Sequence, residues 1–227
     1  MNKKFLWIIC ITIVIGVSFF TAFKVKDSFL PIPTLEEEKK INPSVAYSWY
    51  DDETFQLAYP YFTLDINNLT DLETASNLIL EVQPIDEGKP DTYSLLRKCK
   101  VVNTFKGQLT ENIIYLYENS YFYHSWNYFC YEGYINMKKD ENYIVFLNGI
   151  ENSNKVEKKE LRNGYIFTTP RFGKYKINHK AKLIEHDPEK NEIYFNDVAD
   201  LPVFFNKESY VDTYNNILYD IEKKYFH

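Results

Sequence analysis

Four histidines, His124, His179, His186 and His227, are the residues most suited to acid–base or metal chemistry. No two stand at i, i+4 and no HExxH is present, so no helix presents paired imidazoles to a zinc ion. Only Glu185-His186-Asp187 flanks an imidazole with two carboxylates. In an extended chain Glu185 and Asp187 share a face while His186 points away, and Pro188 marks a turn directly after them. A metal-dependent or hydrolytic site would have to be built from these three, joined by His179; an exposed polar turn is the plainer reading. Nucleophilic chemistry has no better foothold. There is no G-x-S-x-G elbow and no C-x-x-C, and the aromatic surroundings of Cys130 raise a thiol pKa rather than lower it. Seven glycines do not supply a P-loop or a dinucleotide fingerprint. The expectation is a protein with no catalytic residue, no metal and no cofactor.

A binding role has a more visible candidate. Residues 117–134, YENSYFYHSWNYFCYEGY, hold nine aromatic rings in eighteen positions. Tyr121, Tyr123, Trp126, Tyr128 and Tyr131 are the rings that would touch a ligand, because Tyr and Trp suit wet interfaces. Base stacking normally comes with a basic groove; this stretch has no Lys or Arg. The alternative is packing. Phe122, Trp126 and Phe129 fall at i, i+4, i+7, which predicts a helical plug with Phe and Trp turned inward. Cys99 and Cys130 either form a disulfide or stay as buried free thiols.

The elements that must position these residues begin with an unusual leader. Lys3 and Lys4 precede nineteen uncharged residues, Phe5–Phe23, which as a helix span close to ~30 Å, a hydrocarbon thickness. The expected organisation is a cytoplasmic end (1–4), a signal anchor (5–23), a proline-punctuated stalk (24–58), a β domain (59–205) and a terminal helix (206–227). Secretion after signal-peptide cleavage is the alternative, though bulky Phe20 before Ala22 makes a poor cleavage site. The chain carries −6; residues 1–26 hold four lysines and no acid, so the rest carries −10. An acidic exterior domain is repelled by phosphate backbones, and nucleic-acid binding is disfavoured.

Within the domain, Asp65 or Asn67 caps a short helix through about Ala75, with Leu69 and Leu72 facing the body. NLILEVQ, SLLRKCKVVNTFKG, NIIYLYEN, DENYIVFLNG and Tyr165–Thr168 read as strands, with turn signals at Lys106-Gly107 and Asn163-Gly164. In the second strand neither parity is cleanly apolar, which predicts a bulge or a mid-strand change of environment. Tyr210, Tyr214, Ile217, Leu218, Ile221 and Tyr225 recur at helical spacing. Short strands without βαβ alternation and one terminal helix predict a mainly β fold, a small barrel.

The run ASNLILEV, CKVVNTFKG, a further strand, then NYIVFLNG resembles a group of membrane-tethered or exported proteins of Gram-positive bacteria. Their domain is an OB-like five-stranded barrel similar to that of tissue inhibitors of metalloproteinases. The resemblance covers roughly residues 70–180 and rests on Lys106-Gly107 and on Tyr143, Phe146 and Leu147. It implies a small OB-like barrel. The inhibitors act through a free amino-terminal cysteine, and no Cys-x-Cys precedes the first strand here, so that mechanism is not carried over. What remains is a membrane-anchored extracytoplasmic module that binds an envelope protein or glycan without catalysis; a structural subunit of a membrane complex is the alternative.

Overall fold

The computed structural model describes residues 12, 14–18, 21, 37, 40–48, 62–91, 94–109, 111–123, 127–150, 164–184 and 192–226. The chain divides into two units, Met1–Thr34 and Leu35–His227. In the first, Thr12, residues 14–18 and Thr21 are helical, with Val14, Ile15 and Val17 exposed. Ser18 Oγ donates to the Val14 carbonyl at 2.8 Å and Thr21 Oγ1 to that of Val17 at 2.7 Å. Such back-bonding satisfies hydroxyls within the helix itself. The anchor expected over residues 5–23 lies mainly outside the described residues; among the described ones no helix is long and apolar enough to cross a membrane.

The second unit is mainly β. In chain order its elements are β1 (Ser44–Ser48), α1 (Leu69–Ala75), β2 (Leu78–Pro84), β3 (Lys89–Asp91), β4 (Ser94–Lys106), β5 (Ile113–Glu118), β6 (Ser120–Tyr123) and β7 (Asn127–Tyr131). There follow β8 (Tyr143–Gly149), β9 (Gly164–Phe167), β10 (Lys174–Tyr175), β11 (Lys182–Leu183), α2 (Phe195–Val198), β12 (Phe204–Phe205) and α3 (Glu208–Tyr225). Five strands close on themselves in the order β8-β2-β4-β5-β9, with β9 returning to β8. All neighbours are antiparallel except β5 and β9, which run parallel. The interior is filled by inward positions such as Leu80, Val82, Ile114, Leu116, Val145 and Phe167.

The expected bulge in the second strand is present twice. The register of β4 against β2 slips between Ile79 and Leu80 and again between Glu81 and Val82, so that Phe105 and Val102 are the extra residues. A bulge re-aims its side chain. Phe105 turns onto the helical layer, 4.5 Å from the Tyr225 ring, and Val102 is exposed. That layer covers the outside of the barrel: Leu72 of α1 and Tyr214, Ile217, Leu218 and Ile221 of α3 pack over Ile79 and Phe146. Helix α1 is capped by neither Asp65 nor Asn67 but by Asn68, whose Oδ1 accepts from Asp71 N at 2.9 Å.

Residues 117–134 are not helical where described. β6 and β7 form an antiparallel hairpin, and β1 adds to β7 in parallel. The reason is cross-strand pairing. Phe122 sits opposite Tyr128, and Tyr121 sits opposite Phe129 with their rings stacked at 5.5 Å. Such pairs reward a pleated ribbon by roughly 0.2–1 kcal/mol each, and aromatic residues favour strands. The helical spacing of Phe122, Trp126 and Phe129 spans the hairpin turn. β1 is a second correction, because Ser44–Ser48 falls inside the stretch expected to be a stalk. It is held there because Val45 joins Tyr128, Phe195 and Phe204 in a third core.

Candidate functional site

Inside the barrel, strand alternation points Arg97 of β4 and Glu118 of β5 inward with the apolar side chains. The two side chains are 3% and 0% exposed, and Arg97 Nε donates to Glu118 Oε1 at 2.7 Å. Arg97 Nη1 also donates to the Asp86 carbonyl at 2.7 Å. Glu118 Oε2 accepts from Tyr134 Oη at 2.9 Å and from Met137 N at 2.7 Å. Burial alone pulls the Arg97 pKa down, and the Glu118 charge and hydrogen bond more than restore it. Burial and Glu118 together push the Tyr134 hydroxyl well up, and likewise the Cys99 thiol beside it. These groups are satisfied by one another, as buried charges require.

Lys174 of β10 is different. It is 3% exposed, donates to the Ile135 carbonyl, and holds Nζ 3.9 Å from the centre of the Tyr134 ring. No ion pair joins it to a carboxylate among the described residues. Desolvation lowers its pKa to about 7, against the pull of Glu118. It lines a cavity of about 10 Å³ together with Asn136, Lys138, Glu141, Tyr143 and Lys176.

A larger opening lies between β4 and the two helices α1 and α3. Glu73 and Thr74 of α1, Phe105 and Lys106 of β4, and Lys224 and Tyr225 of α3 bound a cleft of about 300 Å³. Phe105 and Tyr225, whose rings pack on each other at 4.5 Å, make one aromatic wall of it. Its rim is ordered: Lys224 Nζ bonds both Glu73 carboxylate oxygens at 2.7 Å, Tyr225 Oη donates to Glu73, and Lys106 Nζ donates to the carbonyls of Glu73 in α1 and of Ser76 just after it. Its size meets the lower bound for ligand pockets, roughly 300 Å³.

No family model, curated protein or solved structure matches this chain.

The residues singled out from the sequence fare unevenly. Tyr128 is fully buried, with its hydroxyl on Asn136 Oδ1 at 2.8 Å, and Tyr121 is buried as well, so neither ring faces a ligand. Tyr131 is half-buried at the end of β7. Tyr123 closes β6. Trp126, His124, His227 and the Glu185-His186-Asp187 run lie outside the described residues. His179 is half-buried with Nδ1 2.8 Å from the Ile177 carbonyl. Cys99 and Cys130 are free thiols. The bridge between them is not formed, because Cys99 sits inside the barrel and Cys130 in the third core beside Tyr128.

Neither the interior pair nor the cleft was named from sequence. The pair had a signal: Arg97 shares its parity with Leu95 and Cys99, and Glu118 shares its own with Ile114 and Leu116. The cleft had none, since its walls come from three elements far apart in the chain.

Proposed function

We propose that this chain is a non-catalytic binding module held outside the cell by residues 5–23, with an OB-like barrel of the kind the sequence resemblance implies. The strand order supports the barrel type. Numbering β2, β4, β5, β8 and β9 one to five gives 1-2-3-5-4 with the third and fifth parallel, and OB barrels bind extended polymers such as oligosaccharides. The nineteen uncharged residues and the exposed Val14, Ile15 and Val17 on a helix with internally satisfied hydroxyls support the anchor.

The observation that carries the binding reading is the aromatic-faced cleft beside Phe105 and Tyr225, with Glu73 and Lys224 on its rim. Flat apolar faces next to hydrogen-bonding groups suit a sugar ring or an aliphatic side chain of an envelope glycan or protein. The acidic charge of the chain argues against a nucleic acid there.

The test uses the full chain in detergent, titrated with purified envelope glycans and by crosslinking to envelope proteins, beside Thr74→Arg. Thr74 is exposed on α1 and its replacement fills the cleft without touching the core. Saturable binding that Thr74→Arg abolishes supports the reading. Binding that Thr74→Arg leaves unchanged, or no binding by either, overturns this assignment of the site.

A further inference from the structure

The outer side of β4 and β5 sets aromatic rings and ammonium groups in register, away from the cleft. The alternation that turns Arg97, Cys99, Ile114 and Leu116 inward leaves Leu96, Lys98 and Lys100 of β4 and Ile113, Tyr115 and Tyr117 of β5 outward. Strand pairing arranges them in rows: Leu96 beside Tyr117, Lys98 beside Tyr115 and Lys100 beside Ile113. The first row runs on to Ile166 of β9 at one end and to Lys89 of β3 at the other. Leu96, Ile113, Tyr115, Tyr117 and Ile166 keep part of their surface in solvent, and none of them belongs to the three cores. Lys89 and Lys100 are exposed and Lys98 is half-buried. No carboxylate among the described residues pairs with these three, whereas Lys138, Lys176 and Lys224 each hold one.

We propose that this face binds an acidic polysaccharide in which carboxylate-bearing and neutral sugars alternate. Residues directly opposite on neighbouring strands hold their Cβ atoms about 4.5–5.5 Å apart, so Lys98 and Tyr115 address the same sugar. The Tyr115 ring takes the C–H face of the sugar, and the Lys98 ammonium takes the carboxylate at its edge as a charge-assisted hydrogen bond. Leu96 and Tyr117 lie one strand repeat away, about 6.6–6.8 Å, and offer a ring and an aliphatic side chain without a charge. That row suits a neutral sugar. In the other direction Lys100 stands ready for the next carboxylate, beside Ile113.

Charge selects this occupant. Outside residues 1–26 the chain carries −10, from −6 less four lysines, yet this strip is locally cationic. The nearby acids stand at its ends, Glu87 and Asp91 on either side of β3 and Glu111 ahead of β5. Asp86 Oδ1 is taken by the amides of Gly88 at 3.0 Å and Lys98 at 3.1 Å. A nucleic acid is charged at every residue, so the acidic surface beyond the strip repels it. A glycan charged only at alternate sugars meets the lysines and runs on past them at less cost.

The experiment titrates the full chain in detergent with a fluorescent hyaluronan oligosaccharide, in which glucuronate alternates with a neutral N-acetylated sugar. Beside it run the same oligosaccharide with its carboxylates reduced to alcohols, and an oligothymidylate. The expected result is saturable binding of the first, weaker by about tenfold for the reduced sugar and for the oligothymidylate. Lys98→Gln and Tyr115→Ala should each weaken binding by about tenfold, and Lys98→Arg should keep it. Both positions lie outside the three cores, and Lys98→Gln decides alone if Tyr115→Ala does not fold. Thr74→Arg, which fills the cleft, should leave this binding unchanged, so failure of the strip and failure of the cleft are told apart. No saturable binding, equal binding of the reduced sugar, or tighter binding of the oligothymidylate overturns the proposal. So does binding that falls with Thr74→Arg and ignores the changes at Lys98 and Tyr115.

Discussion

Arg97 Nε and Glu118 Oε1 lie 2.7 Å apart inside the barrel, joining β4 to β5 where water does not reach. Glu118 also anchors Tyr134 and the Met137 amide, so it ties the hairpin segment to the barrel wall. Removing one member of a buried pair strands the other. Glu118→Gln should cost about 3–5 kcal/mol in urea unfolding. Arg97→Met/Glu118→Leu should recover part of that loss but not all, because the Tyr134 hydroxyl and the Met137 amide stay without their acceptor. A Glu118→Gln cost below about 1 kcal/mol would show that the pair is not a buried one.

Lys174 sets a slope of stability with pH. Its pKa falls from an ordinary 10.5 to about 7 on folding, so between those values the unfolded chain binds the proton that the folded chain releases. Stability therefore rises as pH rises from about 7, by at most about 5 kcal/mol on approach to 10.5. Buried tyrosines such as Tyr134 and Tyr175 have raised pKa values and reverse the trend once unfolded tyrosines ionise near 10. Chemical denaturation between neutral pH and about pH 9 should show the rise in the native chain, and Lys174→Met should flatten it.

Two stacked tyrosines should respond in opposite directions. Tyr175 and Tyr214 are 4.5 Å apart and both fully buried. The Tyr214 hydroxyl donates to the Lys174 carbonyl at 3.0 Å, whereas that of Tyr175 has no hydrogen-bond partner among the described residues. Tyr175→Phe should raise stability by about 1 kcal/mol and Tyr214→Phe lower it by a similar amount, read from thermal unfolding.

Gly133 should tolerate no side chain. It adopts φ +68°, and a Cβ there would stand 1.8 Å from the Phe204 carbonyl oxygen. Gly133→Ala should cost more than about 3 kcal/mol or prevent folding, since the obstruction is backbone of β12 and not a movable side chain.

Cys99 and Cys130 should both titrate as thiols, and only after unfolding. Burial raises both thiol pKa values, Cys130 further under the influence of Glu132. A thiol reagent should modify neither in native protein within the time that denatured protein reacts completely; a disulfide would leave both unreactive even when unfolded.

The strands of the barrel and the terminal helix were legible because they depend on local periodicity. The apolar run of β2, the mixed parity of β4 and the helical spacing of Tyr214, Ile217, Leu218 and Ile221 each reappear as burial. The hairpin of β6 and β7 was misread because Phe122, Trp126 and Phe129 mimic a helical face, while the pairs that decide the matter join residues across a turn. β1 was hidden for a related reason. Its parallel partner lies more than eighty positions away, as the Ser44 Oγ to Asn127 Oδ1 bond at 2.7 Å illustrates. Lys174 carries no local signal at all, because a lysine becomes unusual only through what surrounds it.

The parallel seam between β5 and β9 joins Tyr115 to Gly164 and Leu116 to Tyr165, across almost fifty intervening positions. A chain emerging from a ribosome or a translocation pore has four of the five staves before this one arrives. Until Phe167 is free, β5 and β8 present bare edges, so the ring shuts late. The stretch of time before closure is when this domain is most open to mispairing with its neighbours.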